Sequence, residues 1–448
     1  MANWIGLMMR AVYYYCHLIG LTNFDYEPRT GRVYKSWKTT FYTATVNTAI
    51  TVLAYHWTGQ MDSSLFGNVN ELQEYVIVFM SGLRIIGGLV TLLNRWRQRK
   101  QLMELVRNIL RLYVANPNMN SLSRWGFLVK FFTTLAVDLV SIILAVDVTG
   151  RVSLAQALAL FLQFWTSSIL NLAILQHYLV ILFVRVQYQL MNTELRNIIE
   201  ESERLCSLPR RRAAFMTRCC YLSDQLEDIA KLQSQLQLIV SQVGKVFGIQ
   251  GLVVYSGYYL FSVVFSYLTY SLFKNGSKNL DLALRTIILG YTLNFFYYLD
   301  AMLNLFNVLL VLDDHKEMLR LLAKRTLFSS GLDVRLEESF ESFQLQVARN
   351  PFEMNVMQLF PVNHYSTTAM YSGKDNDEAN SSDKGRMSYT NSQNSKDNKT
   401  KDYNTDNGRL LKWHVIWKWG VANGQCQTLL LQIISNAANA NNNTRRQH

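Results

Sequence analysis

Arg84, Asp138 and Asp300 are the residues best placed to do chemistry, because each stands inside a long apolar run. A charge at the centre of a membrane helix costs about 2.5–3.5 kcal/mol, so it is expected to face a cavity or an opposite charge. The signs suggest that Arg84 pairs with one of the two acids. Such a pair can line a small-molecule site or merely hold helices together. Aromatic residues crowd the same part of the chain, including Tyr255, Tyr258, Tyr259, Phe261, Tyr297 and Tyr298. Aromatic walls with a few polar tips suit a pocket for apolar compounds, although tyrosines also gather at membrane interfaces. The candidate pocket residues are therefore Arg84, Asp138, Trp165, Tyr258, Tyr259, Tyr297 and Asp300. There is no Gly-rich phosphate loop, no paired His-Glu zinc motif and no nucleophile–base arrangement. His177, inside an apolar run, is read as a packing residue. No catalytic residue, cofactor or metal is expected, and the chain is not read as an enzyme.

The elements that must position these residues are membrane helices. Residues 246–273 contain no formal charge, and 286–312 contain one, Asp300. About 20 apolar residues cross a hydrocarbon core of about 30 Å as a helix, and a helix satisfies its own backbone there. Four earlier runs read the same way: 39–57, rich in threonine; 75–94, with Arg84; 125–146, with Lys130 and Asp138; and 152–184. The last has 33 uncharged residues and must tilt or protrude. The expected fold class is an all-α, multi-pass transmembrane bundle of six clear spans. All five prolines lie outside these spans, and only Gly82, Gly87 and Gly88 mark a place where a helix could break. Transporters often use broken helices at the midplane, so this pattern disfavours a transporter.

The positive charges set an orientation. Segments 1–38, 95–124 and 185–245 together hold 21 Lys and Arg, against 4 in the alternate links. Basic loops stay in the cytosol, so the N-terminus is expected inside and Asn275, in an Asn-Gly-Ser sequon, outside. The net charge of +12 and the low charged fraction of 17% fit a lipid bilayer rather than nucleic acid as partner. The five cysteines show no disulfide or zinc spacing.

Residues 1–38 read as a cytosolic segment with an interfacial helix, and 185–245 as a polar helical loop. Within that loop Ile229, Leu232, Leu236, Ile239 and Val243 are spaced 3, 4, 3, 4. This is a coiled-coil-like seam, which either packs on its own chain or makes a subunit contact beneath the membrane. Residues 313–373 continue as cytosolic helix and the start of a further span. From 374 to 448 the chain is polar, rich in Asn, Asp, Ser and Lys, and is expected to be disordered.

Several stretches carry a resemblance: Leu92 to Arg99, Gln176 to Arg185, Arg211 to Tyr221, Val246 to Gly251, Asp313 to Met318 and Leu332 to Ser342. In combination they resemble the insect gustatory receptors, particularly fruit-fly bitter-type members, from about residue 1 to about residue 372. The resemblance implies seven spans, a cytosolic N-terminus and an outside C-terminus. It also implies a ligand-gated cation channel of the plasma membrane of sensory dendrites, sensing a bitter or aversive small-molecule tastant. The assembly implied is a homo- or hetero-oligomer, a tetramer, held by helices of the cytosolic loops and with its pore on the last helix.

The chain departs from this pattern at that last helix. Ser366 to Gly373 looks like its first two turns, but Lys374, Asp375, Asn376, Asp377 and Glu378 follow. The family's closing Gln-Phe or Gln-Tyr pair is absent from the tail. A change of reading frame or splice junction near Gly373 is the favoured reading of this departure, and a natural lineage-specific tail is the alternative. The alternative function is a transporter or a non-conducting accessory or scaffold subunit, which needs no seventh span.

Overall fold

The computed structural model describes residues 4–27, 32–58, 71–115, 119–149, 154–207, 212–275, 284–325, 333–350, 355–356 and 360–361. The expected seventh-span remnant at 366–373 and the polar tail from 374 lie outside them. So do residues 276–277 of the Asn275 sequon and the Asn275 side chain. The chain divides into two compact units, Met1–Val264 with Asn275–Pro361 and Phe265–Lys274 with Val362–His448. Of the second, the helical stretch Phe265–Lys274 is described.

The described residues are almost entirely helical. In order they form α1 (Trp4–Leu18), a hairpin of β1 (Asp25–Glu27) and β2 (Arg32–Tyr34), α2 (Trp37–Thr58), α3 (Glu71–Arg97) and α4 (Arg99–Ala115). Then come α5 (Met119–Thr149), α6 (Leu154–Ser207), α7 (Arg212–Asn275), α8 (Leu284–Arg325), α9 (Val334–Arg349), and a second hairpin of β3 (Asn355–Val356) and β4 (Phe360–Pro361). Both hairpins are antiparallel, with Tyr26 opposite Val33 in the first and Val356 opposite Phe360 in the second. Four stretches are long and apolar enough to cross a membrane: Arg124–Leu144, Leu160–Cys206, Ala213–Tyr267 and Arg285–Lys324. α2 and α3 carry the two remaining runs read as spans.

Local chemistry explains where helices end and how closely they approach. α1 stops at Gly20, whose φ of 80° belongs to the left-handed region that glycine enters without a Cβ penalty. Gly20 N donates to His17 O at 3.0 Å and Leu21 N to Cys16 O at 2.9 Å. These two bonds make a Schellman cap, and buried Leu21 and Cys16 supply the apolar contact that accompanies it. α3 passes unbroken through its three glycines. A Cβ on Gly88 would lie 3.0 Å from Thr166 Cβ, and one on Gly87 would lie 2.9 Å from Val253 Cγ1. The glycine pair is therefore a close-packing surface against α6 and α7, not a hinge.

α1 buries one face and exposes the other, where Leu7, Met9, Tyr14 and Leu18 lie. Val12, Cys16, Ile19 and Leu21 are buried in one apolar cluster with Leu92, Phe127, Ile169, Leu172 and Leu175. One face of α1 and the turn that follows it thus belong to the core, a packing choice that the interrupting Arg10 does not reveal.

Residues 185–245 are the continuation of α6 and the first half of α7. An ion pair between Arg218 Nε and Glu201 Oε1 at 2.5 Å joins the two. On the other side Asn192 Nδ2 donates to Asp314 O at 2.7 Å, and Arg196 pairs with Glu317 at 3.4 Å, tying α6 to the end of α8. α9 begins at Asp333, whose carboxylate accepts from Arg335 N, and buries Leu336, Phe340, Phe343 and Val347 on one stripe.

The seam on α7 is used within the chain. Ile229, Leu236, Ile239 and Val243 are buried and Leu232 is half-buried. α9 binds the flank of α7 beside it: Gln346 Nε2 donates to Ala230 O at 2.9 Å and to Gln233 Oε1 at 3.0 Å, and Gln237 Nε2 donates to Asn350 O at 2.6 Å. Packing within its own chain, the first of the two readings, accounts for the burial of Ile229, Leu236, Ile239 and Val243, and a contact of Ile229, Leu232, Leu236, Ile239 and Val243 with another subunit stays a proposal.

Candidate functional site

The buried charges pair differently from the sequence expectation. Asp300 on α8 forms an ion pair with Lys130 on α5, and the lysine is fully buried. Tyr258 OH on α7 donates to the second carboxylate oxygen of Asp300 at 2.9 Å. Asn304 Nδ2, one turn along α8, donates to Asp300 O at 2.8 Å. Lys130 Nζ also lies 5.4 Å from the centre of the Tyr178 ring on α6. A buried ion pair needs such additional partners to offset desolvation.

Asp138 belongs to a second network. Asn171 Nδ2 on α6 donates to its Oδ1 at 2.7 Å. Tyr15 OH on α1 lies 3.3 Å from its Oδ2 and 3.3 Å from Ser168 Oγ. Arg84 pairs with neither acid. Its guanidinium sits 5.9 Å from the Phe261 ring centre and 5.8 Å from that of Tyr297. The pairing of Arg84 with Asp138 or Asp300 is thus corrected. Lys130 is nearer in the packed bundle and claims Asp300, while neutral donors satisfy Asp138.

A cavity of about 70 Å³ lies between α3, α6, α7 and α8. Arg84, Asn171, Gly257, Tyr258, Phe261 and Tyr297 are among the residues that line it. Two of its walls connect to the buried acids, Tyr258 to Asp300 and Asn171 to Asp138. Arg84, Tyr258 and Tyr297 therefore meet at one cavity, with Asp138 and Asp300 directly behind it. Trp165 and Tyr259 do not line it. Trp165 Nε1 donates to Ile19 O at 3.2 Å, holding α6 against the end of α1, and Tyr259 is 69% exposed. Residues 84, 138 and 300 were legible as intramembrane charges. Lys130 carried the same signal, whereas Tyr15, Ser168 and Asn171 are uncharged and nothing in their spacing marks them.

No three His, Cys, Asp or Glu side chains converge as metal ligands among the described residues. His177 meets the Phe247 ring edge-on at 5.5 Å, an aromatic packing contact.

An all-helical bundle with apolar helices, buried polar networks and a cavity inside defines a multi-pass helical membrane protein. The same fold is seen in the insect olfactory receptor OR5 from Machilis hrabei, solved alone and in complex with eugenol. The superposition has a TM-score of 0.55 at 11% identity and covers 82% of this chain and 94% of that one. Residues 9–373 match the model of the 7tm chemosensory receptor family. Gustatory receptor 36b of Drosophila melanogaster is 52% identical over 372 residues, which is 83% of this chain and 95% of that protein. Gustatory receptor 36c of the same fly is 47% identical over 369 residues, 82% and 94% of the two chains. This chain belongs to the 7tm chemosensory receptor family, and it is a receptor of the insect gustatory type rather than an enzyme.

Proposed function

We propose that the chain is a subunit of a ligand-gated cation channel that detects bitter or aversive small molecules at the plasma membrane of sensory dendrites, with its N-terminus in the cytosol. The observation that carries this reading is the cavity behind Arg84, whose walls Tyr258 and Asn171 hydrogen-bond to buried acids on two other helices. A molecule entering there acts on four helices and two polar networks at once. At about 70 Å³ the cavity holds about two waters. Pockets for drug-sized ligands occupy about 300–1,000 Å³, so binding requires the walls to move. That movement is the coupling a receptor needs. The glycine pair in α3 is packed rather than broken, which weighs against a transporter. Assembly as a tetramer with other gustatory receptors is part of the same proposal.

The chain alone is proposed not to conduct. Ser366 to Gly373 would rise about 12 Å as a helix, short of the roughly 30 Å core. The charges of Lys374, Asp375, Asp377 and Glu378 follow directly. At about 2.5–3.5 kcal/mol each at a helix centre, they outweigh eight mildly apolar residues. The test compares the full chain with a chimera whose residues after Gly373 come from an intact seventh helix of the family, both tagged at the C-terminus. The tag is expected inside for the chain and outside for the chimera, with ligand-evoked current in the chimera only. Robust current from the unmodified chain alone would overturn this reading of the tail. Saturable solute uptake without current, in the chimera, would instead favour the transporter.

A further inference from the structure

The guanidinium of Arg84 is the least compensated charge at the cavity. Arginine carries five N–H donors and accepts nothing. Among the described residues none offers Arg84 a carboxylate or another hydrogen-bond acceptor; its recorded partners are the faces of Phe261 and Tyr297. A cation over an aromatic ring gains about 0.5–2 kcal/mol. That is less than the roughly 2.5–3.5 kcal/mol cost of the charge at mid-membrane. The two nearby acids do not close the gap, since Asp300 is held by Lys130 and Tyr258 and Asp138 by Asn171 and Tyr15. The cavity therefore presents unused donors on one side and two aromatic faces beside them.

We infer that this cavity selects ligands carrying a hydrogen-bond acceptor oxygen next to an aromatic or apolar body, a carbonyl or carboxylate that docks on Arg84 while the body lies against Phe261 and Tyr297. The inference rests on the cavity being the ligand site. A carboxylate can take two parallel N–H donors of the guanidinium, a ketone or ester one. An organic ammonium of the same size is excluded, because it would compete with Arg84 for the same rings and be repelled by its charge. Arg84 thus sets chemical class, and the aromatic pair sets shape.

Four probes of similar size separate these contributions: phenylacetate, acetophenone, ethylbenzene and phenethylammonium. Their binding is measured on the purified full chain in neutral-lipid nanodiscs. Phenylacetate and acetophenone are expected to bind more tightly than ethylbenzene, and phenethylammonium most weakly. Arg84→Gln should weaken the two acceptor probes roughly tenfold or more, as expected for loss of a charge-assisted hydrogen bond, and leave ethylbenzene within about twofold. Retained ethylbenzene binding shows that the variant is folded. Arg84→Lys should restore part of the loss, less for phenylacetate, which needs the planar fork. Gly257→Leu is the control for the site itself, because a Cβ there meets nothing within 4 Å and the larger side chain projects into open space. Undiminished binding in Gly257→Leu would show that the probes bind elsewhere and would overturn the cavity as the site. Binding lost in Gly257→Leu but equally reduced for all probes by Arg84→Gln would overturn the acceptor inference alone. Preference for phenethylammonium, or no binding by either acceptor probe, would overturn it too.

Discussion

Lys130 on α5 and Asp300 on α8 form an ion pair from which solvent is almost wholly excluded, and Tyr258 of α7 completes the carboxylate's shell. Removing one member leaves the other charge buried and uncompensated, which costs about 3–5 kcal/mol. Lys130→Met and Asp300→Leu should each sharply lower thermal stability in detergent. The double variant should recover much of the loss, because it removes both charges together. Additive losses in the double variant would mean that the pair is not coupled.

Gly88 and Gly82 lie on the same helix in opposite surroundings. Gly88→Ala places a methyl 3.0 Å from Thr166 Cβ and 3.4 Å from its Cα, so α3 must move away from α6. Overpacking of this kind costs about 1–3 kcal/mol. A Cβ on Gly82 meets nothing within 4 Å, and Gly82→Ala should be tolerated. Melting curves of the two variants give the comparison, and equal melting temperatures would contradict the close approach.

His315 lies buried between α6 and α8, edge-on to the Tyr188 ring at 5.7 Å. Burial pushes its pKa down from 6.5 to about 4. The unfolded chain therefore binds a proton between these values that the folded chain does not. The stability from neutral His315 is full above about pH 6.5 and falls as the pH drops towards about 4. Wild type should lose more thermal stability between about pH 7.5 and about pH 5 than His315→Phe, which keeps the ring and cannot titrate. Parallel pH profiles would rule this histidine out as the cause.

The proposed orientation rests on 21 basic residues facing 4. Asn275 should carry a glycosidase-sensitive mass that Asn275→Gln removes, and an N-terminal tag should be inaccessible to antibody in intact cells. Surface labelling of that tag would reverse the topology.

Much of this protein is determined by residue order alone. Apolar runs of membrane length force helices, since nothing else satisfies a backbone in lipid, and α5 to α8 carry them. The family is legible in stretches such as Gln176 to Arg185 and Asp313 to Met318, because homology is a property of the sequence itself. The charges at 84, 138 and 300 stand out because a membrane makes them costly. Pairing was not legible. Lys130, with Arg84, offered two cations to two acids, and only the approach of α5 to α8 decides that Lys130 takes Asp300 while Arg84 is left over aromatic rings. The same holds for α1, whose core role depends on Tyr15 reaching Asp138 across 123 positions of sequence. It holds again for the α7 seam, where a 3, 4, 3, 4 pattern states that a helix face must be covered but not by which helix. Periodicity encodes the need for burial, and partner choice belongs to the tertiary structure, because it depends on distances between segments that are far apart in the chain.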